Sequence, residues 1–274
     1  MDVLAPIARI TQRLPRPLAA KIGWQLGERA SRADRVARLR VGGRLIVDVG
    51  DYVHRPMYFV GEYEPSTTRL FQRLATPGWT VLDVGANAGY FAVIAAVAGG
   101  HGSQVIAFEP NPRLAGMLAA SIALNPELNI HVERSAVGDQ PGELPLHLAS
   151  VSRNSGLSSL RSDLPDTAGG TVTVPVVTID DYCARRTLTP DLIKIDVEGF
   201  ELQVLQGATR TLTETPPGAV ICEIAPGRDD PQRIIALMRA HGYEPYAIAD
   251  DGGLRGMVLD PTVVFENLCF KLTD

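Results

Sequence analysis

A glycine-rich turn that begins with an acid is the clearest place in the chain where residue types and spacing point to chemistry. Asp83 ends an apolar segment, and Gly85, Asn87 and Gly89 follow at two-residue intervals before an apolar segment begins at Phe91. At Gly85 the missing side chain permits a sharp turn and leaves the backbone open to a ligand, and Gly89 lets the helix start pack close to the strand. The first N–H groups of that helix would face the ligand. The segment therefore predicts a site for a nucleotide-like cofactor.

The spacing of this turn distinguishes two classes of cofactor. Dinucleotide-binding proteins carry Gly-x-Gly-x-x-Gly, but the sixth position counted from Gly85 is Tyr90. The order Asp83, Gly85, Asn87, Gly89 instead resembles motif I of the Rossmann-like methyltransferases that use S-adenosylmethionine (SAM), with Asn87 in the position of the middle glycine. An ordinary strand-to-helix turn is the alternative, because glycines are common in turns.

A second acid follows the next predicted strand. Residues 104–108 are mostly apolar and lead into Glu109, where a carboxylate can accept charge-assisted hydrogen bonds from both hydroxyls of a ribose. A solvated acid at a strand end is the simpler interpretation. Glu109 lies twenty residues after Gly89, a separation that NAD-binding proteins also show. Glu109 thus indicates an adenosine cofactor, and the register at Asp83 favours SAM over NAD.

A third group of acids follows the apolar segment 192–195. Asp196, Glu198 and Glu201 lie within six residues, at the end of a strand where open α/β sheets bind ligands. Their charges repel one another unless a cation, a proton or a hydrogen-bond donor relieves them. Glu201 is also placed to favour the first turn of a following helix, and this simpler explanation fits Glu201 better than Asp196.

Several motifs in this order make the chain similar to the FkbM-type methyltransferase family. They are the turn at 81–91 and the segments 108–111, 178–181 and 193–201, with a further match at 61–65. The resemblance covers roughly residues 58–223, about three fifths of the chain. It implies SAM-dependent methylation, typically of a hydroxyl on a sugar, polyketide or other small natural product.

The resemblance also implies a set of site residues. The predicted cofactor contacts are Glu64, Asp83, Gly85, Ala86, Asn87, Gly89, Glu109, Pro110, Ala136 and Asp196. The predicted catalytic residues are Asp196, Glu223 and His54, because an aliphatic hydroxyl needs a base or a metal to become a nucleophile. A lone histidine is more often structural, so the base is not identified. Asp196 and Glu223 lie where some class I O-methyltransferases hold Mg²⁺, whose preferred ligands are oxygens; the alternative is that Asp196 binds the cofactor or the backbone without a metal.

The predicted fold is α/β: a Rossmann-like class I methyltransferase with a seven-stranded, mostly parallel sheet and helices on both faces. The resemblance implies that the last strand runs antiparallel. The predicted strands are Val81–Val84, Val105–Glu109, Ile130–Glu133, Leu192–Asp196, Ala219–Ile224, Tyr243–Ile248 and Val263–Lys271.

Two regions lie outside this pattern. Residues 1–60 predict an N-terminal extension of two helices, broken near Pro15 and Pro17, and a hairpin about Gly42 and Gly43; it would act as a cap or an oligomer contact. Residues 61–274 form the predicted methyltransferase domain, with an insertion at 138–170. Within it, Gly138–Leu148 predicts a hairpin, and the polar loop Ser152–Gly170 is long enough to cover the substrate site.

Composition and charge exclude other classes of protein. The 274 residues are 45% hydrophobic and 21% charged, as in one soluble globular domain, and no apolar run reaches the ~20 residues of a membrane span. Three isolated cysteines and the absence of a signal peptide favour a reducing cytoplasm. Residues 1–40 carry net +6, so the rest carries −11. An acidic catalytic region argues against a nucleic acid substrate.

Several alternatives stay open. The basic N-terminal segment can be a solvated amphipathic helix, which is the commoner case, or it can contact a membrane surface, an anionic partner or a second copy of the chain. An NAD-dependent oxidoreductase would share Glu109, and a methyltransferase could act on a nitrogen or a carboxylate instead of a hydroxyl. A catalytically inactive scaffold would keep the cofactor turn and lose the acids near Asp196, which are present.

Overall fold

The computed structural model describes residues 4–30, 33–149, 154, 157–161, 169–224, 231–257 and 266–273. Helices and strands alternate along most of the chain. The helices are α1 (Ala5–Thr11), α2 (Arg16–Arg29), α3 (His54–Phe59), α4 (Pro65–Leu74), α5 (Tyr90–Gly99), α6 (Pro112–Ala123), α7 (Ile179–Arg186), α8 (Glu201–Gln206), α9 (Thr209–Glu214) and α10 (Pro231–Ala240). The strands are β1 (Asp34–Arg38), β2 (Arg44–Asp48), β3 (Thr80–Val84), β4 (Gln104–Phe108), β5 (Ile130–Glu133), β6 (Ala136–Val137), β7 (Gly142–His147), β8 (Thr171–Val177), β9 (Leu192–Ile195), β10 (Ala219–Ile224), β11 (Tyr243–Ile248), β12 (Leu254–Gly256) and β13 (Glu266–Leu272).

The main sheet has the strand order β12-β11-β13-β10-β9-β3-β4-β5. Neighbours from β5 through β10 are parallel, whereas β13 is antiparallel to both β10 and β11. The predicted Rossmann-like sheet with an antiparallel last strand is therefore confirmed. The short strand β12 adds an eighth member at the edge, and the predicted start of the last strand at 263–265 lies outside the described residues.

Central strands are apolar throughout because both faces of the sheet are covered. Along β3, Val81 packs into a core with α5 on one face, and Leu82 packs into a core with α7 and α8 on the other. Parallel strands end at the same edge, so the last residues of β10 and the residues that follow β3, β4 and β9 are brought together. This edge carries the three predicted groups of acids.

The N-terminal extension packs on the same core as β3 and α5. The two predicted helices of residues 1–40 are present as α1 and α2, and the predicted hairpin at 39–49 has its turn at Gly42 and Gly43. Its first strand, β1, lies before residue 39 in the region predicted to be helical, and helix α3 was not predicted. Ser121 of α6 and Asn125, just after that helix, accept hydrogen bonds from the backbone of β2 at 2.9 Å each, which fixes the hairpin to the sheet layer. The division at residue 60 stays a prediction.

The predicted hairpin at Gly138–Leu148 is wrong. That segment holds the single strand β7, whose antiparallel partner is β8, and β6 lies on the other side of β8. The turn residues near Gly138 suggested a local partner, but the actual partner follows more than twenty residues later in the chain.

None of the helices in the described part of the chain has the length and apolar character that crossing a bilayer requires.

Candidate active site

The glycine turn after β3 is constrained by neighbouring protein atoms. Gly85 has φ +83°, and a Cβ there would lie 1.8 Å from the carbonyl oxygen of Asp196. Gly89 has φ +93°, and a Cβ there would lie 2.4 Å from Leu118 Cδ1 of α6. Sequence reasoning assigned Gly85 to cofactor space and Gly89 to helix-strand packing. The structure instead shows that Gly85 lets the turns after β3 and β9 touch, and that Gly89 lets α5 approach α6.

Glu109 is built into the same turn. It is buried, and its two carboxylate oxygens accept the backbone N–H groups of Asn87 and Asn111, each at 2.8 Å. Burial raises the pKa of Glu109 to about 7, although these two N–H groups lower it. Each oxygen keeps a free lone pair, and Glu109 lines the central pocket. The carboxylate can therefore hold the turn and still accept hydroxyl groups from a ligand.

Asp83 is the last residue but one of β3 and lines the pocket. It is 1% exposed, and neither oxygen has a hydrogen-bond partner of normal geometry among the described residues. Burial raises the pKa of Asp83 to about 6, and the lowering effect of Lys194 opposes this shift. A buried carboxylate without a donor is costly, so a cationic or donating ligand group would stabilise it.

His54 lies outside the pocket lining and supports the turn from behind. Its Nδ1 accepts the backbone N–H of Asp48 at 3.2 Å, and its Nε2 lies 2.8 Å from Asn87 Oδ1. Because Nδ1 accepts, Nε2 carries the proton and donates it. Both ring nitrogens are thus engaged, and the ring is fully buried. This geometry opposes the predicted role of His54 as a base and makes it a partner of Asn87, whose φ is +52°.

The acids after β9 and at the end of β10 lie close to one lysine. Carboxylate oxygens of Asp196, Glu198 and Glu223 lie within 4.8 Å of one another. Lys194 Nζ, on a side chain 1% exposed, lies 2.9 Å from Asp196 Oδ2 and 4.7 Å from the centre of the Phe91 ring. Burial alone would lower the pKa of Lys194, but Asp196, Glu64 and Asp83 raise it above its usual value. Lys194 is therefore a buried cation shared by the acids of the site.

Glu223 holds a proton more tightly than an ordinary glutamate. The neighbouring Asp196 carboxylate and burial raise the pKa of Glu223, and Lys194 only partly offsets them. Two carboxyl groups that share a small volume do not both ionise easily. Asp196 and Glu223 therefore form a pair that can hold one proton between them.

Glu201 fixes the turn that carries Asp196. Its oxygens accept the N–H groups of Val197 and Gly199, each at 2.9 Å, and the side chain is 1% exposed. Ser159, from the described part of the Ser152–Gly170 loop, donates to the carbonyl of Glu198 at 2.8 Å. Of that loop, Ser158, Ser159 and Leu160 line the pocket, and much of the rest lies outside the described residues.

The structure brings most predicted site residues to one pocket, with three exceptions, of which Gly89 lies behind the turn against Leu118. Glu64 and His54 are absent from its lining; Glu64 instead accepts a hydrogen bond from Asn267 Nδ2 at 2.7 Å. Sequence reasoning missed Lys194, Tyr63 and Tyr90, which also line the pocket. A lysine between two isoleucines in a buried strand was the available signal for Lys194. The predicted residues on the pocket wall are Asp83, Gly85, Ala86, Asn87, Glu109, Pro110, Ala136, Asp196 and Glu223.

Comparisons with known proteins give consistent matches. The Methyltransferase FkbM domain family matches residues 83–245. The hexuronic acid methyltransferase AglP of Haloferax volcanii is 28% identical over 176 residues, covering 64% of this chain and 67% of that protein. The 31-O-demethyl-FK506 methyltransferase FkbM of Streptomyces tacrolimicus is 30% identical over 203 residues, covering 64% of this chain and 76% of that protein.

Solved structures with a similar arrangement are more distant. A methyltransferase FkbM from Methylobacillus flagellatus KT aligns with a TM-score of 0.47 and 16% identity over 93% of this chain, which spans 59% of that structure's chain. A SAM-dependent methyltransferase from Agrobacterium tumefaciens aligns with a TM-score of 0.49 and 12% identity, covering 89% of this chain and 71% of that one.

Proposed function

The chain belongs to the FkbM methyltransferase family and is a methyltransferase, and we propose that it transfers the methyl group of SAM to a hydroxyl group of a small molecule. The observation that carries the proposal is the meeting of a cofactor-type turn with a group of acids at one sheet edge. Asp83 and Lys194 are paired residues of the adjacent strands β3 and β9, so cofactor and acceptor would lie side by side. The name of one relative specifies an oxygen acceptor, and that of another a hexuronic acid.

The turn fits SAM residue by residue. Glu109 would accept the two ribose hydroxyls with its remaining lone pairs, and the buried carboxylate of Asp83 would meet the amino group of the methionine end. A charge-assisted hydrogen bond contributes about 1.5–3 kcal/mol. Ala86, Pro110 and Ala136, on the pocket wall, would pack against the adenosine. The spacing of the turn supports SAM over NAD, because Tyr90 occupies the position of the third dinucleotide glycine.

For methyl transfer, the protein must align the acceptor oxygen with the methyl group and provide a base that takes up the proton. SAM supplies a methyl group on a positively charged sulfur, which is already activated for displacement. Asp196 would accept the hydrogen bond of the acceptor hydroxyl and hold its oxygen in line with the methyl group. The proton released from the acceptor oxygen would pass to the carboxylate of Asp196, because Glu223 already holds a proton; before transfer, Lys194 would balance the negative charge of Asp196.

The three carboxylates also match the donor set of Mg²⁺, because that ion prefers oxygen ligands. Asp196, Glu198 and Glu223 would supply them. Lys194 already neutralises Asp196 at 2.9 Å, so we propose transfer assisted by carboxylates, with Mg²⁺ as the second candidate. A chelator separates the two: metal-assisted transfer stops and recovers with added Mg²⁺, and carboxylate-assisted transfer continues.

The decisive experiment identifies the bond that is formed. The purified protein is incubated with methyl-labelled SAM and a panel of hydroxylated acceptors that includes hexuronic acids and macrolides, and labelled products are treated with alkali. A methyl ether survives alkali, whereas a methyl ester releases labelled methanol. Alkali-stable, oxygen-linked label supports the proposal. Alkali-labile or nitrogen-linked label, or reduction of NAD in place of methyl transfer, contradicts it. The Asp196→Asn variant is the control for background transfer.

A further inference from the structure

A second concentration of charge lies in the N-terminal extension, in a surface depression between α1 and the β1–β2 hairpin. Its walls are partly apolar, with Ala8, Tyr58 and Leu124 among them. We call it the arginine depression after the four basic residues that line it, Arg9, Arg35, Arg38 and Arg44.

Two of these arginines face each other across the hairpin. Arg38 of β1 and Arg44 of β2 are direct cross-strand partners, and both are exposed on the same face. Like charges in directly opposite positions destabilise a pair of strands. In the part of the chain that the structure describes, no carboxylate forms an ion pair with Arg9, Arg38 or Arg44, and the nearby Asp34 lies 3.7 Å from Arg113 instead. Asp34 also lines the depression, but among the described residues Arg9, Arg38 and Arg44 keep positive charge without an ion-paired carboxylate.

The backbone around the depression is firmly held. Gln12 Nε2 of α1 donates to the carbonyl oxygens of Arg38 at 3.1 Å and of Tyr58 at 2.9 Å. The guanidinium group of Arg44 donates to the carbonyl of Leu124 at the end of α6. The end of α1, β1, β2 and α3 of the extension and the end of α6 are thus connected by these bonds, so a ligand would meet walls that are already in place.

We propose that the arginine depression binds the phosphate group of an organic phosphate. Guanidinium groups match phosphate oxygens through paired hydrogen bonds, and an anion between Arg38 and Arg44 would relieve their repulsion. The apolar walls leave room for the organic part. The rest of the chain beyond residue 40 carries −11, so the depression is the attractive region for an anion.

This site is separate from the pocket for methyl transfer and does not depend on the acceptor proposed above. Helix α3 lies between the two, because Met57 lines the pocket and the next residue, Tyr58, lines the depression. A failure of methyl transfer in the experiment above would leave this proposal unaffected.

Calorimetry with inorganic pyrophosphate at constant ionic strength tests the site. The wild-type protein should bind, and Arg38→Gln/Arg44→Gln should bind at least about tenfold more weakly, because each lost charge-assisted contact amounts to about a factor of ten. Arg13→Gln/Arg29→Gln is the matched control, since it removes the same charge from exposed positions in the same segment and should bind as the wild type does. Absence of binding by the wild type, or equal losses in both double variants, would overturn the proposal.

Two further measurements keep the test decisive. Thermal melts should show that Arg38→Gln/Arg44→Gln is folded. Pyrophosphate should raise the melting temperature of the wild type and of the control variant but not of Arg38→Gln/Arg44→Gln. If that double variant is unfolded, Arg9→Gln from α1 replaces it. Flotation with phosphatidylcholine vesicles, with and without phosphatidic acid, identifies the source of the phosphate. Vesicle binding that pyrophosphate competes away indicates a lipid headgroup, and pyrophosphate binding without vesicle binding indicates a soluble phosphate. Vesicle binding that the double variant retains contradicts the assignment.

Discussion

The pocket at the sheet edge has two halves that are built in different ways, and we call them the cofactor half and the acceptor half after the roles proposed for them. On the cofactor half, one continuous turn supplies Asp83, Gly85 and Asn87, and Glu109 holds that turn through backbone N–H groups. On the acceptor half, Lys194, Asp196 and Glu223 come from two strands and interact through their side chains. The geometry of the cofactor half is thus set by the backbone of one short motif. The acceptor half depends on interactions between charged side chains that the sheet brings together.

This difference predicts different responses to substitution. The cofactor half should fail sterically or by loss of ligand affinity, because its geometry depends on glycine positions and hydrogen bonds. The acceptor half should fail electrostatically, because each of its charges is tolerated only in the presence of the others.

The largest effect is expected where the halves touch. Gly85→Ala places a Cβ 1.8 Å from the carbonyl oxygen of Asp196 at a residue with φ +83°, so both turns must move. We expect a loss of more than about 4 kcal/mol in the free energy of unfolding, measured by urea denaturation. Gly116→Ala, where a Cβ meets no atom within 4 Å, is the control. A Gly85→Ala protein as stable as Gly116→Ala would refute the contact between the halves.

Removing the shared cation should come next. Lys194→Met leaves Asp83, Asp196 and Glu64 without their positive neighbour, and losing one partner of a buried ion pair costs about 3–5 kcal/mol. The double variant Lys194→Met/Asp196→Asn should recover part of that loss, because it also removes a charge. Urea denaturation of both variants measures the coupling. No recovery in the double variant would mean that the 2.9 Å ion pair contributes little.

Turnover should depend on Asp196 more than cofactor binding does. Asp196→Asn removes the proposed acceptor of the hydroxyl proton, so we expect the rate of labelled methyl transfer to fall by about 100-fold or more. The Kd for SAM should change by less than about threefold. Equal losses in the two quantities would reassign Asp196 to the cofactor half. Glu127→Gln, at an exposed position, controls for the loss of one acid.

Glu109 should show the opposite division. Glu109→Gln keeps the size of the side chain but weakens the bonds to the ribose, so the Kd for SAM should rise by roughly 10- to 150-fold. Saturated turnover should change much less. Calorimetry with SAM and with its demethylated product measures the affinity, and Glu127→Gln again provides the same substitution at an exposed site. An unchanged affinity of Glu109→Gln for SAM would contradict the assignment of Glu109 as the ribose site.

The smallest expected effect is a pH dependence of the cofactor half. The pKa of Glu109 is raised to about 7 from 4.5, so the folded protein without ligand holds this proton longer than the unfolded chain does. The protonated Glu109 therefore stabilises the folded protein fully below about pH 4.5, and this stabilisation is lost as the pH rises through about 7. SAM binding requires the ionised form and should strengthen by up to about tenfold between roughly pH 6 and pH 8. A Kd in Glu109→Gln with the same pH slope as the wild type would contradict this origin.

The cofactor half could be predicted from sequence because its information is local. Gly85, Gly89 and Glu109 stand at fixed intervals from two short apolar segments, and periodicity alone placed those strands correctly. The physical reason why each of these two positions must be glycine could not be predicted from the sequence. The atoms that exclude a side chain at Gly85 and Gly89 belong to residues distant in sequence, Asp196 and Leu118.

The acceptor half was only partly predictable because its contacts are long-range. Asp196 and Glu223 were found as acids at strand ends, whereas Lys194 was passed over as part of an apolar strand. His54 was selected for its chemistry, but the hydrogen bonds at both of its ring nitrogens are visible only in three dimensions. The same limitation explains the wrong hairpin, since the partner of β7 is supplied by β8 after a long insertion.

The hydrogen bond between His54 and Asn87 makes the cofactor turn depend on the N-terminal extension. His54 belongs to the N-terminal extension, and Asn87 is the left-handed residue at the centre of the cofactor turn. A fragment that begins at residue 61 would lack this donor, even though every residue of the turn would still be present. The extension therefore completes the cofactor turn, and a graft from a relative without a donor at this position would have to supply one from elsewhere.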